Sequence, residues 1–212
     1  RLSRRNPTLL CVSSKKMPWS ICNIEKIMER GMIVERIWLR SYPRGVPAEV
    51  DCEAYQSLVD IVGQSCDRFR SLPALSNMGT TITYGELDRL TAAFSGFLQS
   101  LGLAKGDRVA LMMPNILQYP VALFGALRAG CIVVNTNPLY TARELRHQVQ
   151  DSGAKAIVVL ENFANTVEQV LAGSTIEHVV TTRIGDMLPF PKNAIANLVV
   201  RYVKHMVPPF DL

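Results

Sequence analysis

The sequence predicts an α/β layered fold, a mainly parallel sheet with flanking helices, and three observations carry that expectation. Short apolar runs at Val109 to Met112, Cys131 to Val134, Ala156 to Leu160 and His178 to Thr181 recur at intervals too long for hairpins. The stretches between them carry apolar residues at helical spacing. Glycines and helix-start signals punctuate the alternation, and strands separated by helices imply crossover connections and a sheet covered on both faces. At 212 residues and 48% apolar content the chain can bury the core of one ordinary domain, or of a domain and a fragment.

Each element follows from its residues. Between Ala54 and Phe69, Tyr55, Leu58, Val59, Val62, Cys66 and Phe69 mark one face of an amphipathic helix. Ala74 to Asn77 and Thr81 to Thr83 flank a Met-Gly-Thr turn and read as a short hairpin around Gly79. Thr83 and Glu86 have the spacing of a capping box, in which each side chain satisfies a free backbone N–H of the first helical turn. The helix they start continues through Leu87, Leu90, Phe94, Phe97, Leu98 and Leu101. Helices are then expected at Ile116 to Arg128, from a second capping box at Thr141 and Glu144 to Asp151, and at Phe163 to Leu171. Pro114 ends a strand, Gly130 turns helix into strand, and Asn137-Pro138 sets a turn ahead of Thr141.

The last piece differs in character. After a Pro-rich connection, residues 193 to 207 carry Ile195, Leu198, Val199, Tyr202, Val203 and Met206 on one stripe and Asn197, Arg201, Lys204 and His205 on the other. Such a helix either packs on the sheet as a surface helix or lies on an anionic membrane surface.

Charge and cysteine usage narrow the class. Seven of the 23 Lys and Arg fall within residues 1 to 32, against only Glu25 and Glu29 of the 18 Asp and Glu, so the remainder is balanced. A neutral body with a basic leader gives no reason to expect nucleic-acid binding. The leader has no regular apolar periodicity and no secretory apolar core. It is expected to lie outside the fold, as sequence upstream of a natural start at Met32, with a basic targeting segment as the alternative. The longest apolar stretch, Pro120 to Leu127, falls well short of the roughly 20 residues that span a bilayer. Five scattered cysteines without a C-x-x-C pair suit reduced thiols in a cytoplasm and argue against a zinc site.

No catalytic constellation stands alone. The chain has no G-x-x-x-x-G-K-[ST] loop, no G-x-G-x-x-G, no G-x-S-x-G and no H-E-x-x-H. A dinucleotide-binding dehydrogenase domain is disfavoured because no Gly-rich turn follows a predicted strand. His147, His178 and His205 are isolated from one another and read as surface or capping residues. Asp107 and Arg108 sit at a strand entrance and read as structural.

Three ordered motifs add a resemblance. Lys105-Gly-Asp-Arg-Val-Ala-Leu-Met-Met-Pro-Asn115, then Gln118-Tyr-Pro-Val-Ala-Leu-Phe-Gly-Ala-Leu-Arg-Ala-Gly130, then Val133-Val-Asn-Thr-Asn-Pro-Leu-Tyr-Thr-Ala-Arg-Glu-Leu145 resemble the N-terminal region of acyl-CoA synthetases of the adenylate-forming, AMP-binding superfamily. Tyr84-Gly-Glu-Leu87 and Asp151-Ser-Gly-Ala-Lys-Ala156 stand at matching places. Tyr42-Pro43, Tyr55-Gln-Ser-Leu-Val59 and Val203-Lys-His-Met-Val-Pro208 look like the bacterial long-chain fatty-acid-CoA ligases. The resemblance covers residue 33 to the end and implies the N-terminal part of the large domain of such an enzyme.

It also implies a chemistry: fatty acid, ATP and CoA combine to give acyl-CoA, AMP and pyrophosphate, with Mg²⁺ assisting. Family members have a Thr/Ser/Gly-rich phosphate loop, a Tyr-Gly-x-Thr-Glu segment, a ribose-binding Asp and an adenylation lysine, and none has a counterpart in these 212 residues. The expectation is therefore a partial product, residues 33 to 212, that is inactive alone, binds no cofactor strongly and holds no catalytic, cofactor-binding or metal-binding residue. Asn115, Asn137 and Tyr140 lie near predicted strand ends, where α/β ligands bind, and are read either as ligand contacts or as turn and core hydrogen-bonding groups. The alternative function is a non-catalytic module that pairs with a separate C-terminal portion or docks on a membrane through residues 193 to 207. A cytoplasmic location, peripheral on the inner face of the membrane, fits either, and a second copy of the chain is an open partner. Cutting such a sheet exposes apolar surface and a strand edge, so poor solubility is expected of the fragment alone.

Overall fold

A computed structural model describes residues 35–51 and 54–212. The expectations for the basic leader 1 to 32, for a start at Met32, and for Cys11, Cys22 and Cys52 fall outside the described residues. The chain divides into two compact units, Arg1–Asp51 and Cys52–Leu212. In the first, the described part forms a short 3₁₀ helix, Ile37–Ser41, with exposed ion pairs Arg36 to Glu49 at 2.8 Å and Arg40 to Glu35 at 2.7 Å. Exposed pairs of this kind contribute little to stability.

In the second unit, helix α1 spans Leu58–Arg68. It starts later than the apolar spacing predicts because Ser57 takes an extended backbone and its hydroxyl accepts the Asp60 N–H, which fixes the cap four residues inside the periodic stretch. Strands β1, Pro73–Asn77, and β2, Thr80–Thr83, form the expected hairpin. Met78 and Gly79 both have positive φ, 49° and 69°, as a tight two-residue hairpin turn requires. Helix α2, Tyr84–Ser100, follows with the Thr83 and Glu86 capping box fully formed.

Four strands build the main sheet: β3, Arg108–Met112; β4, Ile132–Asn135; β5, Ala156–Leu160; and β6, His178–Thr182. All neighbouring pairs are parallel, in the order β4-β3-β5-β6. Helices α3, Gln118–Arg128; α4, Ala142–Ser152; and α5, Ala164–Leu171, are the crossovers. Side chains alternate along β3 as the strand period demands. Val109 and Leu111 join Leu98 of α2 and Ala122 and Ala126 of α3 in one core, while Ala110 and Met112 join Leu145 and Val149 of α4 and Val167 and Val170 of α5 in another. The sheet is thus covered on both faces, as the sequence predicts. In β5 every residue is buried, the mark of a central parallel strand, whereas β4 is an edge with Ile132 half exposed.

Gly125 sets how closely α2 and α3 approach. A Cβ there would stand 2.8 Å from a ring carbon of Phe94 and 3.1 Å from the Thr91 carbonyl oxygen. The segment after β6 departs from the surface-helix expectation. Helix α6, Lys192–Leu198, runs on into a π-helical turn, Val199–Val203, and none of its residues is buried.

Candidate functional site

The chain places the second strand of the sheet, β4, on one side of β3 and the next, β5, on the other. The connections leaving β3 and β5 therefore diverge to opposite faces, and the crevice between their C-terminal ends is where open α/β sheets receive ligands. The residues around those ends define the candidate site.

Of the three residues singled out in the sequence, Asn137 is a turn residue. Its Oδ1 accepts the Leu139 N–H at 3.0 Å and its carbonyl accepts the Tyr140 N–H at 3.1 Å. Tyr140 packs partly buried against the core on the α4 and α5 face. Asn115 lies exposed beyond β3; its carbonyl accepts from Asn77 Nδ2 at 3.4 Å beside a cavity of about 240 Å³ lined by Ser76, Ile116 and Tyr119. The structure does not bring the three together around one space, and two of them serve the hydrogen-bonding and packing roles that were the alternative reading.

Other side chains crowd the exits. Tyr119 Oη donates to Asn135 Oδ1 at 2.8 Å, and Gln148 Nε2 donates to the Asn135 carbonyl at 3.0 Å, which ties the end of β4 to α3 and α4. Gln118 is buried and its Nε2 donates to the Arg183 carbonyl at 2.8 Å. Glu161, the first residue past β5, is 2% exposed. Its Oε2 faces Arg201 Nη1 at 3.4 Å and Arg183 Nε at 3.6 Å. With Thr181 and Asp186 these groups line a polar cavity of about 450 Å³. Four buried oxygens here have no hydrogen-bond partner among the described residues: Gln118 Oε1, Gln148 Oε1, Glu161 Oε1 and Asn162 Oδ1. All are acceptors, so the exit end of the sheet can take up N–H and O–H donors.

The polar residues at the strand entrances do a different job. Asp107 accepts from Lys155 Nζ at 2.8 Å and from the Ala104 N–H at 2.9 Å. The Lys155 hydrogen bond, then the Ala104 N–H, hold the Asp107 carboxyl below the usual range, and the same hydrogen bond raises Lys155. Arg108 donates from Nε to the Ser152 carbonyl at 2.9 Å and from Nη2 to the Gly153 carbonyl at 2.7 Å, capping the C-terminus of α4 with a cation. Both residues are structural, as expected. The Thr83 and Thr141 backbone N–H groups lower the Glu86 and Glu144 carboxyls in the two capping boxes.

Burial pushes the free thiols of Cys66 and Cys131 up, so neither is an activated nucleophile. His147 and His205 are exposed and His178 is half-buried. Among the described residues no group of three or more His, Cys, Asp or Glu is placed to hold a metal ion, and no helix is long and apolar enough to cross a membrane.

Sequence reasoning missed Gln118, Glu161, Arg183 and Arg201. The one signal for Glu161 was its place directly after a continuous apolar strand of a parallel sheet. Arg183 and Arg201 meet it only through the fold.

A parallel four-stranded sheet covered on both faces defines a layered α/β domain, the fold class that it shares with adenylate-forming CoA ligases. The chain belongs to the AMP-binding enzyme family, which matches residues 62–209. It is 54% identical over 180 residues to a long-chain-fatty-acid–CoA ligase of Escherichia coli O6:H1, covering 84% of this chain and 32% of the relative. It is 52% identical over 180 residues to one of Salmonella typhimurium, with the same coverage. In structure it resembles a benzoate CoA ligase from Burkholderia xenovorans, with a TM-score of 0.55 at 26% identity over 58% of this chain and 25% of that one. The chain thus spans about a third of the length of the curated relatives it matches.

Proposed function

We propose that residues 33 to 212 supply the N-terminal scaffold of the large domain of a bacterial long-chain fatty-acid-CoA ligase. The observation that carries this reading is the 54% identity over 180 residues to a ligase of that description. In the whole enzyme a fatty-acid carboxylate oxygen attacks the α-phosphorus of ATP, forming an acyl-adenylate and releasing pyrophosphate. The CoA thiolate then attacks the acyl carbon and AMP leaves, giving the acyl-CoA. Mg²⁺ and backbone N–H groups would stabilise charge on the phosphoryl oxygens.

This chain's own share is positional. The sheet sets the spacing of its strand exits, and Gln118, Gln148, Glu161 and Asn162 offer acceptors there to donors from other segments of a ligase. The 212 residues contain no Gly-rich phosphate loop. Alone they catalyse no adenylation, bind ATP and CoA weakly, and carry no catalytic residue. The same unpaired acceptors favour a second reading, a non-catalytic module that pairs with a separately made C-terminal portion.

The test is fatty-acid-dependent pyrophosphate release, measured for the chain alone and for the chain mixed with the remaining segments of the Escherichia coli relative. Release only in the mixture is expected. Release by the chain alone would refute the scaffold reading, and a mixture that forms a tight complex without turnover would favour the module.

A further inference from the structure

We draw no further inference here: the strongest candidate, the polar cavity of about 450 Å³ between buried Glu161 and the half-exposed Arg183 and Arg201 at the exits of β5 and β6, belongs to the candidate site already described, and nothing in the structure shows whether a ligand or another segment of a ligase fills it.

Discussion

Where the parallel strands enter the sheet, Asp107, Arg108 and Lys155 are matched, and where they leave it, four side chains each bond through one polar atom and keep the other without a partner among the described residues. At the entrance Asp107 and Lys155 pair across β3 and β5, and Arg108 closes the end of α4. At the exit Gln118, Gln148, Glu161 and Asn162 each keep a buried oxygen without a partner among the described residues. The difference separates two tasks within one sheet. Paired groups at the entrance stabilise the fold, whereas a buried acceptor left without a partner costs stability.

Substitutions can break this contrast, and the largest effect is expected at Gly153. Its φ of 62° is left-handed, and a Cβ would stand 2.6 Å from Arg108 Nη2. Gly153→Val should cost about 3 kcal/mol, through backbone strain and displacement of the guanidinium, measured as a shift in urea midpoint. Arg108→Ala removes three charge-assisted bonds, to the Ser152, Gly153 and Gly106 carbonyls, without strain and should cost about 2 kcal/mol. If the two variants were equally stable, the glycine conformation would carry none of the effect.

Thr141→Ala, a helix cap on the exit side, should cost about 1 kcal/mol, and thermal melts of the purified variant would show it. Glu161→Gln should fall within about 0.5 kcal/mol of the parent, because the isosteric amide removes the desolvation cost of the buried carboxylate together with its attraction to two half-exposed arginines. A large loss there would mean that the exit end is as structural as the entrance.

Acid sharpens the comparison further. The folded Asp107 pKa is depressed, so its contribution is fully present above its unfolded value of about 4 and is lost as pH falls through the folded value. Lys155 is raised, so its contribution is present below about 10 and is lost as pH rises through its folded value. A stability profile against pH should therefore fall less steeply on the acid side for Asp107→Asn than for the parent.

Much of this architecture was legible before folding. Four apolar runs became four parallel strands within a residue or two at each end, and both Thr/Glu capping boxes formed. Those features are local, set by side chains within one turn or one strand. Helix α1 began late because a serine hydroxyl competed with the apolar period, again a local effect but one that spacing alone does not weigh.

The candidate site was hardly legible. Gln118 meets the Arg183 backbone 65 residues away, and Arg201 meets Glu161 across 40 residues. No motif records such meetings, because they depend on strand order. Asn137 and Tyr140 drew attention as polar groups near a strand end and proved to be turn and core residues. The stripe on α6 was visible in the sequence, yet its orientation was set by Asn197 and Arg201, which the periodicity treats as mere solvent-facing positions.

The contrast between the two ends is tested most directly by urea unfolding of Arg108→Ala and Glu161→Gln beside the parent chain. A midpoint clearly lowered for Arg108→Ala and nearly unchanged for Glu161→Gln is the predicted result. The opposite order would place the structural lock at the exit of the sheet and contradict the division of labour drawn here.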